Sequence, residues 1–230
     1  MRDGIFDVTP DREISHHIMK EFLVNSPERN PKGIFLMAHG AGRGPANPFM
    51  ETIARGIVDA GVRVVRFHFP YMERMLRTGE RVPPDGGSIL RQCFNEVIAH
   101  CKEIEKCPGS NLVIGGKSMG GRIATMIADE NKVAGVVCLG YPFHPPKKPN
   151  QWRIQHLRTI HTPTLICQGE RDPFGNRNEV ERHAFSESME FDWLPDGDHN
   201  FEPRTPSGRT ANENMQDAIR ACNRFISRIL

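Results

Sequence analysis

The sequence predicts an α/β fold built on one mostly parallel sheet with helices on both faces. Three observations predict it. Apolar, β-branched runs of strand length alternate with stretches of helical periodicity, and that alternation implies right-handed crossovers laying successive strands side by side. Several of the runs, "GIFLMAHG", "NLVIGG", "VAGVVCLGYP" and "PTLICQG", are nearly continuous in apolar residues, as strands covered on both faces are. At 230 residues with 38% hydrophobic content, the chain is large enough for one core of that kind.

Taken in order, "KEFLVN" reads as an opening strand, followed by "GIFLMAHG", "GVRVVRFHFP", "NLVIGG", "VAGVVCLGYP", "PTLICQG" and "SMEFDWLP". Helical patterns fall between them at about 48–60, 88–106, 119–129, 176–184 and 210–229. Two stretches are irregular. One is "TGERVPPDGG"; the other is "PFHPPKKPNQWRIQHLRTIHTP", whose prolines suggest a short lid at about 142–163 inside a single domain spanning 1–230. Ligands of such sheets bind beyond the carboxyl ends of the strands.

Composition excludes several classes of function. A net charge of +2, with no run of lysine and arginine and no interleaving of aromatic and basic residues, argues against a nucleic-acid partner. No segment approaches the 18 or so apolar residues of a membrane span, and "MRDGIFDVTPDREISHH" has no signal-like apolar region. A cytoplasmic protein is the expectation. The six cysteines show no C-x-x-C spacing, so they read as reduced, mostly buried thiols and not as metal ligands. Oligomeric state is not legible.

The chemistry turns on "LVIGGKSMGG". Its Gly116-Lys117-Ser118 resembles the end of a phosphate-binding loop, but that motif needs a glycine where Asn111 stands, and the apolar run leaves too little free loop to wrap a phosphate. The other frame, G-x-S-x-G, fits its context: strand, Gly116, Lys117, Ser118, Met119, Gly120, then a helical pattern. A serine on such a sharp turn is exposed at the strand's end. The N–H of Met119, at the helix N-terminus, points where an oxyanion would form.

A serine nucleophile needs a base and an acid on later strand ends, in the chain order serine, acid, histidine. Asp172 follows the strand "PTLICQG", and His199 follows "DWLP". A carboxylate there fixes the tautomer of the histidine and stabilises its imidazolium. A second oxyanion donor is expected from "HGAGRG", where glycines free the backbone and Ala41 offers a small side chain and an N–H. His39 precedes the nucleophile and reads as a residue that orders this loop.

The motifs "HGAG", "FHFPYM", "PPD", "GGKSMGGR", "GYPFHPP", "GERDPFG" and "DGDHNF" together resemble those of an α/β-hydrolase. They are closest to small, nearly lidless hydrolases related to the hydrolase-like domain of a non-specific-lethal histone acetyltransferase complex subunit. The resemblance implies an α/β-hydrolase fold with a minimal lid and a cofactor-free, metal-free serine hydrolase. Ser118, Asp172 and His199 would form the triad, with Ala41 and Met119 supplying the oxyanion hole. The motifs say little about substrate; the expectation is a small ester or thioester, cleaved by an enzyme of carboxylesterase or thioesterase type. Dienelactone-hydrolase relatives use a cysteine nucleophile, and serine here argues against that chemistry. A non-catalytic scaffold or binding module, a peptidase, a lipase and an acyltransferase are the alternatives.

One asymmetry bears on the substrate. Residues 143–161 contain Lys147, Lys148, Arg153 and Arg158 and no acid. With Arg43 from the glycine loop, Arg153 and Arg158 are candidate contacts for an anionic acyl or leaving group.

Overall fold

The computed structural model describes residues 2–4, 22–104 and 107–230. Its frame is an eight-stranded sheet: β1 (Arg2–Gly4), β2 (Leu23–Ser26), β3 (Ile34–Ala38), β4 (Arg63–Phe67), β5 (Leu112–Lys117), β6 (Gly135–Leu139), β7 (Thr164–Gly169) and β8 (Met189–Leu194). The order across it is β1-β2-β4-β3-β5-β6-β7-β8. β1 and β2 run antiparallel at one edge, and the other six are parallel. The chain lays β4 to one side of β3, then returns to place β5 on the other side. The ends of β3 and β5 therefore flank the point where strand order reverses, which is where such sheets bind ligands.

Side chains alternate along each central strand between two apolar layers. Leu36, Ile114, Val136 and Ile166 pack on one face, and Phe35, Val113, Val137 and Leu165 on the other. The first layer is completed by α3 (Gly87–Ile104) and α4 (Met119–Asn131), through Leu90, Phe94, Ile123 and Ile127. The second is closed by α1 (Pro48–Ile57) and α6 (Ala211–Ile229), through Met50, Ile53, Cys222 and Phe225. Asn47 and Thr210 cap α1 and α6 with their side chains. All six cysteines are buried. Among the described residues no helix is long and apolar enough to cross a membrane.

The chain departs from the sequence expectation in three places. β1 is a three-residue strand with no periodicity of its own, placed by pairing with β2. α2 (Pro70–Thr78) was not expected, because it buries only Tyr71 and Met72 and leaves Leu76 exposed among charged residues. The helix expected at 176–184 is one turn, α5 (Arg177–Val180). The Asn176–Glu179 capping box starts it. The residues after it are drawn into ring contacts, His183 with Trp152 and Phe185 with Phe143 and Phe191, which end the helix. The expected opening strand begins at Lys20, and the expected helix at 88–106 ends at Lys106; Lys20, Glu21, Glu105 and Lys106 lie outside the described residues. Residues 142–163 have one short 3-10 turn, Gln155–Arg158, and bury Phe143, Ile154, Leu157 and Ile160 in the first layer.

Candidate active site

β5 ends in a turn that only small residues permit. A Cβ on Gly116, whose φ is +146°, would lie 2.0 Å from Ala38 O, and one on Gly120 would lie 2.4 Å from the same atom. α4 therefore starts with its backbone against that of β3. Between these glycines stands Ser118 at φ 51°, ψ −114°, a conformation that costs a non-glycine residue about 1–3 kcal/mol. That strain projects the serine beyond the sheet at the N-terminus of α4. Ser118 N donates to Leu139 O at 3.1 Å, fixing the turn to the end of β6.

Asp172 and His199 meet over the neighbouring strand ends. Asp172 is fully buried after β7, and its Oδ2 lies 2.7 Å from His199 Nδ1. The same oxygen accepts from Gln168 Nε2 at 2.9 Å, and Oδ1 accepts from Phe174 N at 2.8 Å. With Nδ1–H committed to the carboxylate, Nε2 of a neutral His199 is free to accept a proton. The ring of Phe174 lies against that of His199 at 4.3 Å. The histidine turn docks where β7 lacks a side chain: a Cβ on Gly169 would sit 2.2 Å from Asp198 O. Burial lowers the pKa of His199 below its ordinary value; the Asp172 hydrogen bond opposes this, and the Lys117 charge adds to it.

Ser118 and His199 share the end of β6. A Cβ on Gly140 would lie 3.0 Å from His199 O and 3.3 Å from His199 Nδ1. The Ser118 hydroxyl makes no hydrogen bond among the described residues. Nucleophile–base contacts commonly tighten only when substrate is in place.

The loop after β3 lies on the other side of the serine, where a Cβ on Gly40 would be 3.6 Å from Ser118 Cβ. Two side chains hold this loop. Tyr71 donates its hydroxyl to Gly40 O and Ala41 O, each at 3.1 Å. His39 is completely buried; its Nδ1 lies 2.8 Å from Gly40 O, and its Nε2 accepts from Phe69 N at 3.1 Å. His39 thus joins the loops after β3 and β4 as a neutral ring, and burial pushes its pKa down to about 4. The N–H groups of Ala41 and Met119 donate to no acceptor among the described residues.

Three contributors were given no role by the sequence reading, although Tyr71 and Lys117 stand inside the quoted motifs "FHFPYM" and "GGKSMGGR". Gln168 is buried within β7 and braces Asp172 while bonding Tyr141 N, Tyr141 O and Gly175 O. A glutamine inside an otherwise apolar strand was the available signal. Tyr71 sits in the unexpected α2. Lys117, immediately before the serine, is 8% exposed; its ammonium donates to His199 O and lies 5.1 Å from the Phe49 ring centre and 5.5 Å from that of Phe201. Burial brings its pKa down to about 8, against the opposing pull of Asp172 and Asp198.

Of the basic candidates, Arg43 and Arg158 are exposed, whereas Arg153 is half-buried. Among the described residues no three His, Cys, Asp or Glu side chains converge in a way that can hold a metal ion.

A parallel sheet with a strained serine at the end of its central strand, and an acid and a histidine beyond later strands, defines an α/β-hydrolase architecture. The chain belongs to the alpha/beta-hydrolase family: the family model of an alpha/beta hydrolase domain matches residues 31–227. Its fold is similar to that of an alpha-beta serine hydrolase homologue from Coxiella burnetii, at 18% identity and TM-score 0.69, covering 92% of this chain and 99% of that one. It is also similar to an α/β serine hydrolase without lid from Xanthomonas campestris, at 17% identity and TM-score 0.68, covering 92% and 89%. A dienelactone hydrolase from Anabaena variabilis matches at 19% identity and TM-score 0.67, covering 95% of each chain.

Proposed function

We propose that the protein is a serine hydrolase that cleaves a small ester or thioester through an acyl-enzyme intermediate. Ser118 Oγ attacks the carbonyl carbon while His199 Nε2 takes its proton. The N–H groups of Ala41 and Met119 receive the charge that develops on the carbonyl oxygen. The C–O or C–S bond breaks as His199 returns the proton to the leaving group. Water, deprotonated by His199, then attacks the acyl-serine, and the acid leaves with Ser118 restored. Asp172 holds the His199 tautomer throughout.

The observation that carries this reading is the 2.7 Å contact of His199 Nδ1 with the fully buried Asp172 carboxylate beside the Ser118 turn. A buried carboxylate with one oxygen on a histidine, next to a strained serine and two unengaged N–H donors, is a costly arrangement for a scaffold to keep. The test is a fluorophosphonate probe with mass-spectrometric location of the adduct. The adduct is expected on Ser118, and Ser118→Ala is expected to lower hydrolysis of short p-nitrophenyl esters at least about a thousandfold. Absence of labelling, or equal turnover by the variant, would remove the reading.

A further inference from the structure

Arg122 stands four residues after Ser118, and Arg122 N donates to Ser118 O at 3.0 Å. Ser118, Arg122 and Thr125 thus form an i, i+4, i+7 ridge along the start of α4. That ridge packs under the segment following β6. Thr125 Oγ1 lies 2.9 Å from His156 Nε2. The Tyr141 hydroxyl lies 3.4 Å from the same nitrogen and donates to Arg153 O at 2.9 Å. Long helical side chains lean toward the helix N-terminus, which for Arg122 is the turn carrying Ser118.

The Arg122 guanidinium lacks an acceptor. Its Nε is closed off from solvent and bonded to nothing, and the side chains of Arg122 and Arg153 enter no hydrogen bond or ion pair among the described residues. Arg66 also has an unpartnered buried Nε, but its guanidinium ends on Glu51, as that of Arg171 ends on Asp196 and that of Arg209 on Asp217. Two carboxylates that meet the segment after β6 are engaged elsewhere. Glu179 closes the α5 capping box and faces His144 at 3.4 Å, and Asp129 accepts from the N–H groups of His161 and Thr162. The two guanidiniums also feel one another. Burial first, and then the Arg122 charge, lower the proton affinity of Arg153, and the same two causes take His156 down to about 4. A guanidinium N–H kept from water without an acceptor is a cost to the folded chain that a bound anion removes.

We infer that Arg122 and Arg153 form the subsite for a carboxylate carried by the substrate, so that the preferred ester or thioester is an anionic one. One turn of helix separates Arg122 from Ser118, a rise of roughly 6 Å, which suits two to four carbons between the carboxylate and the scissile carbonyl. Planar, two-pronged donation by arginine matches a carboxylate better than lysine would. The inference rests on Ser118 being the nucleophile, and the sequence candidates Arg43 and Arg158 fall outside the pair.

The experiment has two arms. In the first, p-nitrophenyl hemisuccinate is compared with p-nitrophenyl butyrate at low and high ionic strength. The wild type is expected to favour the hemisuccinate at least about tenfold in kcat/KM, through KM, with the preference shrinking as salt rises. Arg122→Met should bring the ratio close to one, and Arg122→Lys should leave an intermediate value. A wild-type ratio near one at low salt overturns the inference, as does a fall produced by Arg158→Met or Arg43→Met and not by Arg122→Met. The second arm needs no turnover. Free succinate should raise the Tm of Ser118→Ala and leave that of Ser118→Ala/Arg122→Met unmoved; equal shifts, or none in either, count against the pair. Fluorophosphonate labelling of the wild type reports the nucleophile separately, so failure of the hydrolase reading and failure of the subsite are distinguishable.

Discussion

The ammonium of Lys117 donates to the backbone carbonyl of His199, so the residue immediately before the elbow serine grips the loop that carries the histidine. Lys117 is also one of the charges that depress His199. Replacing it with methionine keeps the volume and removes both effects. With Lys117→Met, the acid limb of the kcat/KM profile is expected to move to higher pH, because a repelling positive charge has gone, and kcat is expected to fall as the loop loosens. A profile superimposable on the wild type would reduce Lys117 to packing.

His199 must be neutral to take a proton, and burial holds its pKa below the ordinary 6.5. The kcat/KM of the wild type is therefore expected to rise with pH and to reach half its plateau below pH 6.5. Initial rates on a neutral ester, measured between about pH 4.5 and 8, check this. A midpoint above 6.5 would contradict the burial of the ring.

His39 offers a test of stability in place of rate. Its folded pKa of about 4 lies below the 6.5 of an unfolded histidine. Between these values the unfolded chain binds a proton that the folded chain refuses. Stability contributed by the neutral ring is full above pH 6.5 and is lost as pH falls toward 4, by about 1.4 kcal/mol per pH unit at most. Urea melts across that window should show a shallower fall for His39→Gln than for the wild type. An identical slope would place the acid sensitivity elsewhere.

Ser118 holds a positive φ without being glycine. Ser118→Gly is expected to raise stability by about 1 kcal/mol while abolishing turnover. Calorimetry on the two proteins decides; a lower Tm for the glycine variant would mean that the turn is not strained.

Much of this site was legible in the sequence because its parts are local. The elbow is a spacing of glycines about a serine, and the acid and histidine each follow an apolar strand directly. The sheet was legible for the same reason, since its strands are short continuous runs. What escaped depends on partners far along the chain. Tyr71 matters because its hydroxyl reaches Gly40 and Ala41, some thirty residues away, from a helix too polar to announce itself. Arg122 reads as an ordinary surface arginine until its lack of a carboxylate is seen in space. Gln168 and Lys117 were visible as polar residues in apolar runs, but their acceptors, Asp172 and the His199 carbonyl, are assigned only by the packed loops.

At Gly120, main chain rests on main chain, with the place of a Cβ occupied by Ala38 O at 2.4 Å. The gap between the elbow and the loop after β3 thus has no adjustable spacer. No substitution can bring α4 and β3 closer, because glycine is already the smallest residue. Drift at this position runs one way, toward a wider gap. The separation of the Ala41 and Met119 donors therefore behaves as a fixed gauge, against which the rest of the cleft can vary.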